Sequence, residues 1–253
     1  MKYLRFLDAG VPRYGLVEGN EVTILSGDPF HSPAPTTSTR KLDTLQLLPP
    51  CVPSKIIGIG LNYKDHAAEI GAPLPAEPRI FLKPPTCLLG HGGDIVWPSG
   101  VERVDYEAEL VAVIGKTAKG VSEEDALNHV FGYSCGNDVS ARDIQARDKL
   151  PNRAKAFDTF GPVGPVIATG LNPDNLKLEC LVNGRVRQSG TTADLIFGVA
   201  YLVSFLSSVM TLLPGDLIFT GTPKGIGPLE PGDTVEVRIE GIGTLRNRLV
   251  AGS

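Results

Sequence analysis

Short apolar runs separated by glycine, proline and polar residues recur along most of this chain. Some alternate apolar and polar positions, and others are apolar throughout. Both patterns, when turn-forming residues bound them, are typical of β-strands. We predict strands in KIIGIG at 55–60, RIFLKPP at 79–85, VDYEAELVAVIG at 104–115, FGYSCGND at 131–138, GPVGPVIAT at 161–169, LKLECLVNG at 176–184, GDLIFTGTP at 215–223 and DTVEVRIEGIGTL at 233–245.

The first 50 residues form a separate group in this pattern. YLRFL at 3–7 and RYGLVEGNEVTIL at 13–25 read as strands, and the Gly19-Asn20 pair in the second run indicates a hairpin turn. A stretch rich in proline, serine and threonine follows at 31–40, and prolines recur at 49, 50 and 53. We predict a small N-terminal β domain and linker over 1–50, and a main domain over 51–253.

Few segments have helical signals. They are a short turn in the loop 60–78, SEEDALNHV at 122–130 with Ser122 as its cap, SARDIQARDKL at 140–150, and an uncharged segment at 195–213. The last is nearly long enough to span a bilayer, but serines and threonines recur at helical spacing opposite its apolar face. We interpret it as a buried helix of a soluble protein that Thr191 and Thr192 cap and Pro214-Gly215 ends.

The balance of these elements predicts the fold class. Strands outnumber helices, and most connections are too short for the crossovers that join parallel strands through a helix. We therefore predict a β-rich α+β fold with an antiparallel or mixed roll of strands, and not a doubly wound sheet.

Composition and charge narrow the possible partners. With 253 residues, 42% of them hydrophobic, the chain can bury a large core. A net charge of −4 disfavours nucleic acid and anionic membranes as partners. The N-terminus MKYLRFLDAG has no apolar signal-peptide core, and the four cysteines form no CxxC pair. We expect free thiols in a reducing, cytoplasmic compartment.

Glu107 and Glu109 are the strongest chemical signal. Residues two apart in a strand share a face, so both carboxylates point the same way, although the strand is otherwise apolar on both faces. Two such carboxylates about 7 Å apart repel each other by roughly 2 kcal/mol at an effective dielectric of 20, and burial costs more. A hard divalent cation such as Mg²⁺, Mn²⁺ or Ca²⁺ would neutralise them. The alternative is a solvated strand end.

Asp138 and a histidine–glutamate pair add to this picture. Asp138 follows an apolar strand, where it either joins a site or caps the next helix. His66 and Glu69 are neighbours on one helical turn, so Glu69 can orient the imidazole as a general base inside a mobile loop. The pair is also common on exposed helices, and Lys155 in its glycine- and proline-rich loop is by default a solvated lysine.

Longer motifs resemble a known family. LNYKDHAAEI, YEAELVAVIG, GNDVSARDIQ, AKAFDTFGPVGP, TTADLIF and TGTPKGIGPLEPGD are similar in order and content to the fumarylacetoacetate hydrolase family, over about residues 54–250. The resemblance implies a mixed β-sandwich roll, a catalytic main domain, a homodimer, and one Mg²⁺ or Mn²⁺ in each active site.

The resemblance also implies roles for individual residues. Its metal ligands correspond to Glu107, Glu109 and Asp138. Its catalytic pair and lysine correspond to His66, Glu69 and Lys155. Its substrate contacts correspond to Arg142, Gln145 and Thr222.

The expected substrates are small 2-oxo acids. ARDIQ and AKAFDTFGP resemble the branch that hydrolyses acylpyruvates or decarboxylates oxaloacetate, whereas VSEEDAL, TTADLIF and GTLRNRLV resemble the isomerase/decarboxylase branch of aromatic catabolism. We expect a metal-dependent enzyme that cleaves a carbon–carbon bond. One alternative is a 2-hydroxyhepta-2,4-diene-1,7-dioate isomerase or 5-oxopent-3-ene-1,2,5-tricarboxylate decarboxylase of aromatic catabolism. The other is a non-catalytic protein that binds a dicarboxylate through the metal.

Overall fold

The computed structural model describes residues 1–252, and strands dominate them. Within that range lie 20 strands and five α-helices. The strands are β1 Lys2–Asp8, β2 Val11–Glu18, β3 Glu21–Leu25, β4 Pro35–Lys41, β5 Gln46–Leu48, β6 Ile56–Gly60, β7 Arg79–Lys83, β8 Leu88–Leu89, β9 Asp94–Trp97, β10 Val104–Tyr106, β11 Ala108–Ile114, β12 Val130–Asn137, β13 Ser140–Ala141, β14 Gly161–Ala168, β15 Lys177–Val182, β16 Arg185–Thr191, β17 Leu217–Phe219, β18 Gly227–Leu229, β19 Thr234–Ile239 and β20 Gly243–Ala251. The helices are α1 Lys64–Glu69, α2 Glu123–Ala126, α3 Arg142–Asp148, α4 Asn152–Lys155 and α5 Val199–Val209. The prediction of a β-rich α+β fold is confirmed.

The strands form three sheets. A 12-stranded sheet follows the order β4-β3-β2-β1-β14-β12-β11-β17-β6-β7, with β5 beside β1 and β8 beside β14. A five-stranded sheet has the order β16-β15-β19-β20-β9, and a three-stranded sheet has the order β13-β10-β18. Most neighbours are antiparallel, whereas β17 with β6, β8 with β14 and β9 with β20 are parallel. The roll is therefore mixed, as its short connections predict.

Strand β11 shows why the central runs are apolar on both faces. Each of its residues is buried. Leu110 and Ala112 belong to the larger hydrophobic cluster, which also contains side chains of the five-stranded sheet, while Val111 and Val113 belong to a second cluster. Since alternate residues of a strand point to opposite faces, β11 is covered on both sides. A charged side chain here needs a partner inside the protein.

The first 50 residues extend the large sheet. β1 pairs with β14 in the register Lys2 with Ala168, so β1 to β5 continue the sheet of the main part of the chain. The turn at Gly19-Asn20 joins β2 to β3 as predicted, with Glu18 opposite Glu21. The division of the chain at residue 50 stays a prediction.

Helix α5 is shorter than the sequence suggests, and its predicted caps are wrong. Thr191 caps a separate 3-10 turn, Thr192–Asp194, where its hydroxyl accepts a hydrogen bond from Ala193 N. The chain then bends at 196–197, where Asn62 bonds the backbone of Ile196 and Phe197, and Gly198 caps the helix. No helix in residues 1–252 is long and apolar enough to cross a membrane.

Three neighbouring strands of the large sheet continue into the three-stranded sheet. β12 leads into β13, β10 leads into β11, and β17 leads towards β18. Glu107 separates β10 from β11, and Asp138 follows β12. The single strand predicted over 104–115 is therefore wrong, because Glu107 N donates to the Asn137 side chain, 2.9 Å away, where the chain passes between sheets. These crossing points lie side by side, and polar residues converge there.

Candidate active site

The carboxylates of Glu107, Glu109 and Asp138 meet at the strand crossing. One oxygen from each lies within 4.8 Å of the others. All three residues are buried, with exposed fractions of 6%, 2% and 1%. Their spacing is fixed by the main chain, since Asp138 N donates to Glu107 O at 2.9 Å. A solvated strand end is thus excluded for the Glu pair. Asp138 does not cap helix α3 either, because Ala141 occupies that position.

Lys155 is buried in this cluster and is not a solvated loop lysine. Its exposed fraction is 4%. Its ammonium group lies 2.8 Å from Glu107 Oε2, contacts Asp138 Oδ2, and stands 5.1 Å from the centre of the Phe81 ring. Burial lowers the pKa of Lys155, but the charges of Asp138 and Glu107 prevail and raise it above its usual value. Lys155 is therefore a fixed positive charge.

Lys83 is a second buried lysine, which sequence reasoning missed. It donates to Asp138 Oδ1 and, at 2.9 Å, to Phe160 O. It is 1% exposed, although it ends a strand in front of two prolines. Its position two residues after the inward-facing Phe81 is the one local sign that its side chain points inward.

Arg142 completes the ring of cations. Its Nη2 donates to Glu107 Oε1 at 2.5 Å and its Nη1 to Gln145 Oε1 at 2.6 Å, while Nε donates to Asp105 Oδ2 at 3.0 Å. Burial raises the pKa of Glu107, but Lys155 and Arg142 outweigh it and lower this pKa to about 2. Glu107 therefore stays ionised.

Glu109 differs from the other two carboxylates because it lacks a cationic partner in residues 1–252. It accepts a hydrogen bond from Gly221 N at 2.7 Å. Burial, followed by the charges of Asp138 and Glu107, raises its pKa well above the usual value. A divalent cation would remove this penalty, and carboxylate oxygens are the ligands that Mg²⁺ and Mn²⁺ prefer. The three residues thus fit a divalent metal ion.

The predicted histidine–glutamate pair is formed on α1. His66 Nδ1 lies 2.9 Å from Glu69 Oε2, and His66 is 9% exposed. Glu69 Oε1 accepts from Gly225 N at 2.9 Å, so the pair is tied to the loop that follows β17. The bond at Nδ1 leaves Nε2 of the imidazole for a ligand or water.

These groups surround one cavity of about 480 Å³. Its lining includes His66, Glu107, Glu109, Arg142, Gln145, Lys155 and Thr222, with Phe81 and several aliphatic side chains. A wider groove of about 880 Å³ lies between 42–49 and 88–93, but its lining is mostly apolar and carries no comparable set of charges. The smaller cavity is the candidate active site, and seven of the nine predicted residues line it. The other two, Asp138 and Glu69, do not line the cavity but contact Lys155 and His66, which do.

Thr222 lies at the cavity wall with its hydroxyl already engaged. Its Oγ1 donates to Ala108 O at 2.8 Å and accepts from Gln188 Nε2 at 2.8 Å. Its hydroxyl proton is therefore not free for a ligand. The substrate contact implied for Thr222 stays a prediction, as do those implied for Arg142 and Gln145.

Asn62 is a further residue that the sequence did not single out. Its side chain bonds Phe197 N at 2.9 Å and Thr220 O at 2.8 Å, which joins the LNY segment to the segment 195–197 and to the end of β17. This buried amide holds the base of α1, and with it His66, against the crossing strands. In the sequence, the only sign of this role is that Asn62 is a polar residue between the apolar strand β6 and helix α1.

Comparison with known proteins places these features in context. A family model described as fumarylacetoacetate (FAA) hydrolase, C-terminal, matches residues 55–250, and one described as Rv2993c-like, N-terminal, matches 1–50. The 4-hydroxyphenylacetate degradation bifunctional isomerase/decarboxylase of Escherichia coli is 45% identical over 223 residues, which cover 86% of this chain and 52% of that protein.

Solved structures agree over the full length. A 5-carboxymethyl-2-hydroxymuconate delta-isomerase from Mycobacterium smegmatis is 42% identical, with a TM-score of 0.94 and 100% of both chains covered. A maleylpyruvate hydrolase from Sphingobium is 31% identical, with a TM-score of 0.82 and the same coverage. The predicted roll is thus confirmed as the fold of these enzymes.

Proposed function

Because this chain belongs to the fumarylacetoacetate hydrolase family, we propose that it is a divalent-metal-dependent enzyme that breaks a carbon–carbon bond in small 2-oxo acids. Acylpyruvate-type β-diketo acids would be hydrolysed, and oxaloacetate-type acids would be decarboxylated. One observation carries this proposal: His66, bound by Glu69, lies on the wall of the cavity whose floor holds Glu107, Glu109 and Lys155.

The floor of the cavity suits an anionic substrate. Three carboxylates, Glu107, Glu109 and Asp138, are balanced by the three cations Lys83, Lys155 and Arg142. A bound Mg²⁺ or Mn²⁺ would supply net positive charge and a Lewis acid for the carboxylate and 2-oxo oxygens of the substrate. Lys155 would place its fixed charge beside the oxygen on which negative charge develops as the bond breaks.

The His66–Glu69 pair would activate water for hydrolysis. Glu69 holds the proton on Nδ1, so Nε2 can take a proton from a water molecule. The resulting hydroxide adds to the distal carbonyl carbon of the β-diketo acid, and the bond to the neighbouring methylene breaks. The electron pair goes to pyruvate enolate, which is then protonated. A β-keto acid that loses CO₂ yields the same enolate without water, so His66 is not needed for decarboxylation.

A second candidate is isomerisation of an unsaturated 2-hydroxy dicarboxylate. The names of the E. coli and M. smegmatis relatives favour it. In this reaction His66 would move a proton between carbon atoms of the substrate and no bond between carbons would break. The two candidates use the same side chains, so the products distinguish them.

A turnover screen tests the proposal. Purified protein with Mg²⁺, with Mn²⁺ or with a chelator is assayed on oxaloacetate, acetylpyruvate, fumarylpyruvate and 2-hydroxyhepta-2,4-dienedioate. We expect metal-dependent cleavage. In His66→Ala, loss of the base should slow acetylpyruvate hydrolysis by about 10²- to 10⁴-fold and spare oxaloacetate decarboxylation, while the exposed His31→Ala serves as control. Full activity after removal of all metal, or product formation only from the dienedioate, would contradict the leading candidate.

Three remaining expectations belong to the same proposal. They are the homodimer, the cytoplasmic location, and the division into a β domain over 1–50 and a catalytic domain over 51–253. Sedimentation velocity of the full chain tests the first of these, with about 54 kDa expected from twice 26.9 kDa.

A further inference from the structure

One face of β7 leads from the carboxylate cluster to the mouth of the cavity. At its inner end Lys83 contacts Asp138, and two residues earlier Phe81 lies under Lys155. Arg79, two residues further out, shares this face, is exposed, and lines the same cavity. At about 3.3 Å per residue, the Cα of Arg79 is about 13 Å from that of Lys83.

Helix α3 repeats this arrangement on another wall. Arg142 contacts Glu107 at its start, Gln145 lies one turn further, and Lys149 follows at the end of the helix. Positions i and i+3 share one side of a helix, and Lys149 is the residue that caps its C-terminal end. All three residues line the cavity, and Lys149 is exposed at its mouth, about 10 Å along the axis from Arg142.

Arg79 and Lys149 differ from the neighbouring cations because their charges are unpaired. Arg147 and Arg153 both pair with Asp148. Within residues 1–252, neither the Arg79 side chain nor the Lys149 side chain has a hydrogen-bonding or ionic partner. The only acidic residues in the cavity lining are Glu107 and Glu109, which lie at the floor. The mouth is therefore cationic, and two free cations face one opening.

We propose that Arg79 and Lys149 form a second carboxylate subsite, which makes the preferred substrate a linear 2-oxo dicarboxylate. This inference rests on the proposed function, because the floor must take the 2-oxo acid end of the molecule. The distance between floor and mouth suits a chain of about six to eight carbon atoms. Ile70, Ile80 and Ile226 also line the cavity, and they would contact the carbon chain between the two ends.

Binding of two matched, uncleavable ligands tests the subsite. 2-Oxoheptanedioate and 2-oxoheptanoate differ in the distal carboxylate and lack the β-keto group that cleavage requires. We expect the Mn²⁺-loaded protein to bind the dicarboxylate about tenfold more tightly by calorimetry, because charge-assisted hydrogen bonds form at the mouth. The double variant Arg79→Gln/Lys149→Gln should lose this preference and bind 2-oxoheptanoate with unchanged affinity.

The control variant is Arg147→Gln, which removes a neighbouring exposed charge that does not line the cavity. It should keep the preference of the wild type. Equal affinities of the wild type for both ligands, or a preference that survives in the double variant, would overturn the subsite and leave the proposed function intact. If the Mn²⁺-loaded protein bound neither ligand, the proposed function would fail and the subsite with it.

Discussion

The floor of the cavity and its mouth are built by different means. At the floor, Glu107, Asp138 and Lys155 are buried and bound to one another, and the main chain fixes two of them where strands pass between sheets. At the mouth, Arg79 and Lys149 stand exposed on the ends of β7 and α3 and bind no other side chain in the described chain. Changes at the floor should therefore affect both stability and chemistry, and changes at the mouth should affect ligand choice.

This contrast has an energetic basis. A buried charge that loses its partner costs several kcal/mol, whereas exposed charges contribute about 1 kcal/mol or less. The paired charges of the floor, Glu107, Asp138 and Lys155, are consequently intolerant of substitution. The mouth can change with little cost to folding, which makes it the region where preference for one substrate over another can be set.

Glu109→Gln should give the largest effect. The amide oxygen can still accept the hydrogen bond from Gly221 N, so the fold is kept, but one anionic ligand is lost. We expect Mn²⁺ affinity to collapse and kcat on the best substrate to fall by about 10³-fold, as several kcal/mol of electrostatic stabilisation disappear. Calorimetry with Mn²⁺ and steady-state kinetics measure both. The exposed Glu102→Gln is the matched control, and wild-type metal affinity in Glu109→Gln would refute the ligand assignment.

Lys83→Met should be the next largest change, and it acts on stability. The substitution keeps much of the side-chain volume but leaves Asp138 Oδ1 without its cation. Breaking a buried ion pair in this way costs about 3 to 5 kcal/mol. Urea unfolding in the presence of a chelator measures the loss, with Lys177→Met on the exposed side of β15 as control. A loss equal to that of the control would show that Lys83 does not support the floor.

Glu69→Gln should have a smaller effect, confined to hydrolysis. The variant can still contact His66 Nδ1 but cannot stabilise the protonated imidazole. We expect kcat for acetylpyruvate to fall about tenfold, less than removal of the base itself, with KM and oxaloacetate decarboxylation unchanged. Glu77→Gln, an exposed residue of the same loop, is the control. An equal loss on both substrates would count against an orienting role for Glu69.

The smallest predicted effect is a pH-dependent difference in Tm between the metal-free wild type and the metal-free Glu109→Gln variant. Burial and two neighbouring carboxylates raise the pKa of Glu109 above 4.5, so the folded state binds its proton more tightly than the unfolded state does. The stability of the chelated wild type should fall as pH rises above 4.5. Glu109→Gln lacks this titration, so its Tm should exceed that of the wild type increasingly towards pH 8. A difference of about 1 kcal/mol moves the Tm of a chain of this length by about 2 to 4 °C.

Addition of Mn²⁺ provides the control for the pH experiment. The metal should raise the Tm of the wild type and leave that of Glu109→Gln nearly unchanged. A Tm difference that does not vary with pH would show that Glu109 titrates normally in the folded protein.

Local sequence pattern predicted the parts of the site that lie on one element. Glu107 and Glu109 are two residues apart and face the same way, and His66 and Glu69 meet on one helical turn. The strand pattern also predicted the central strands, because burial on both faces leaves an unmistakable apolar run, as in β11.

Contacts between distant segments could not be predicted in the same way. Lys83 and Asp138 are 55 residues apart, and the alternation of β7 alone does not reveal which buried anion its lysine meets. The cap predicted at Thr191 and Thr192 was wrong because Asn62, on another segment, binds the backbone of Ile196 and Phe197 and the helix begins only after them. The crossing between sheets depends on the side chain of Asn137 in the same way.

The pairing of β1 with β14 has a consequence for handling the protein. β14 lies in the middle of the large sheet, with β12 on one side and β1 on the other. If proteolysis or an N-terminal truncation removed β1, the backbone groups of β14 that pair with Lys2 and Tyr3 would become an open sheet edge. Such an edge can recruit strands from other molecules, so a truncated chain should aggregate before its catalytic groups are disturbed.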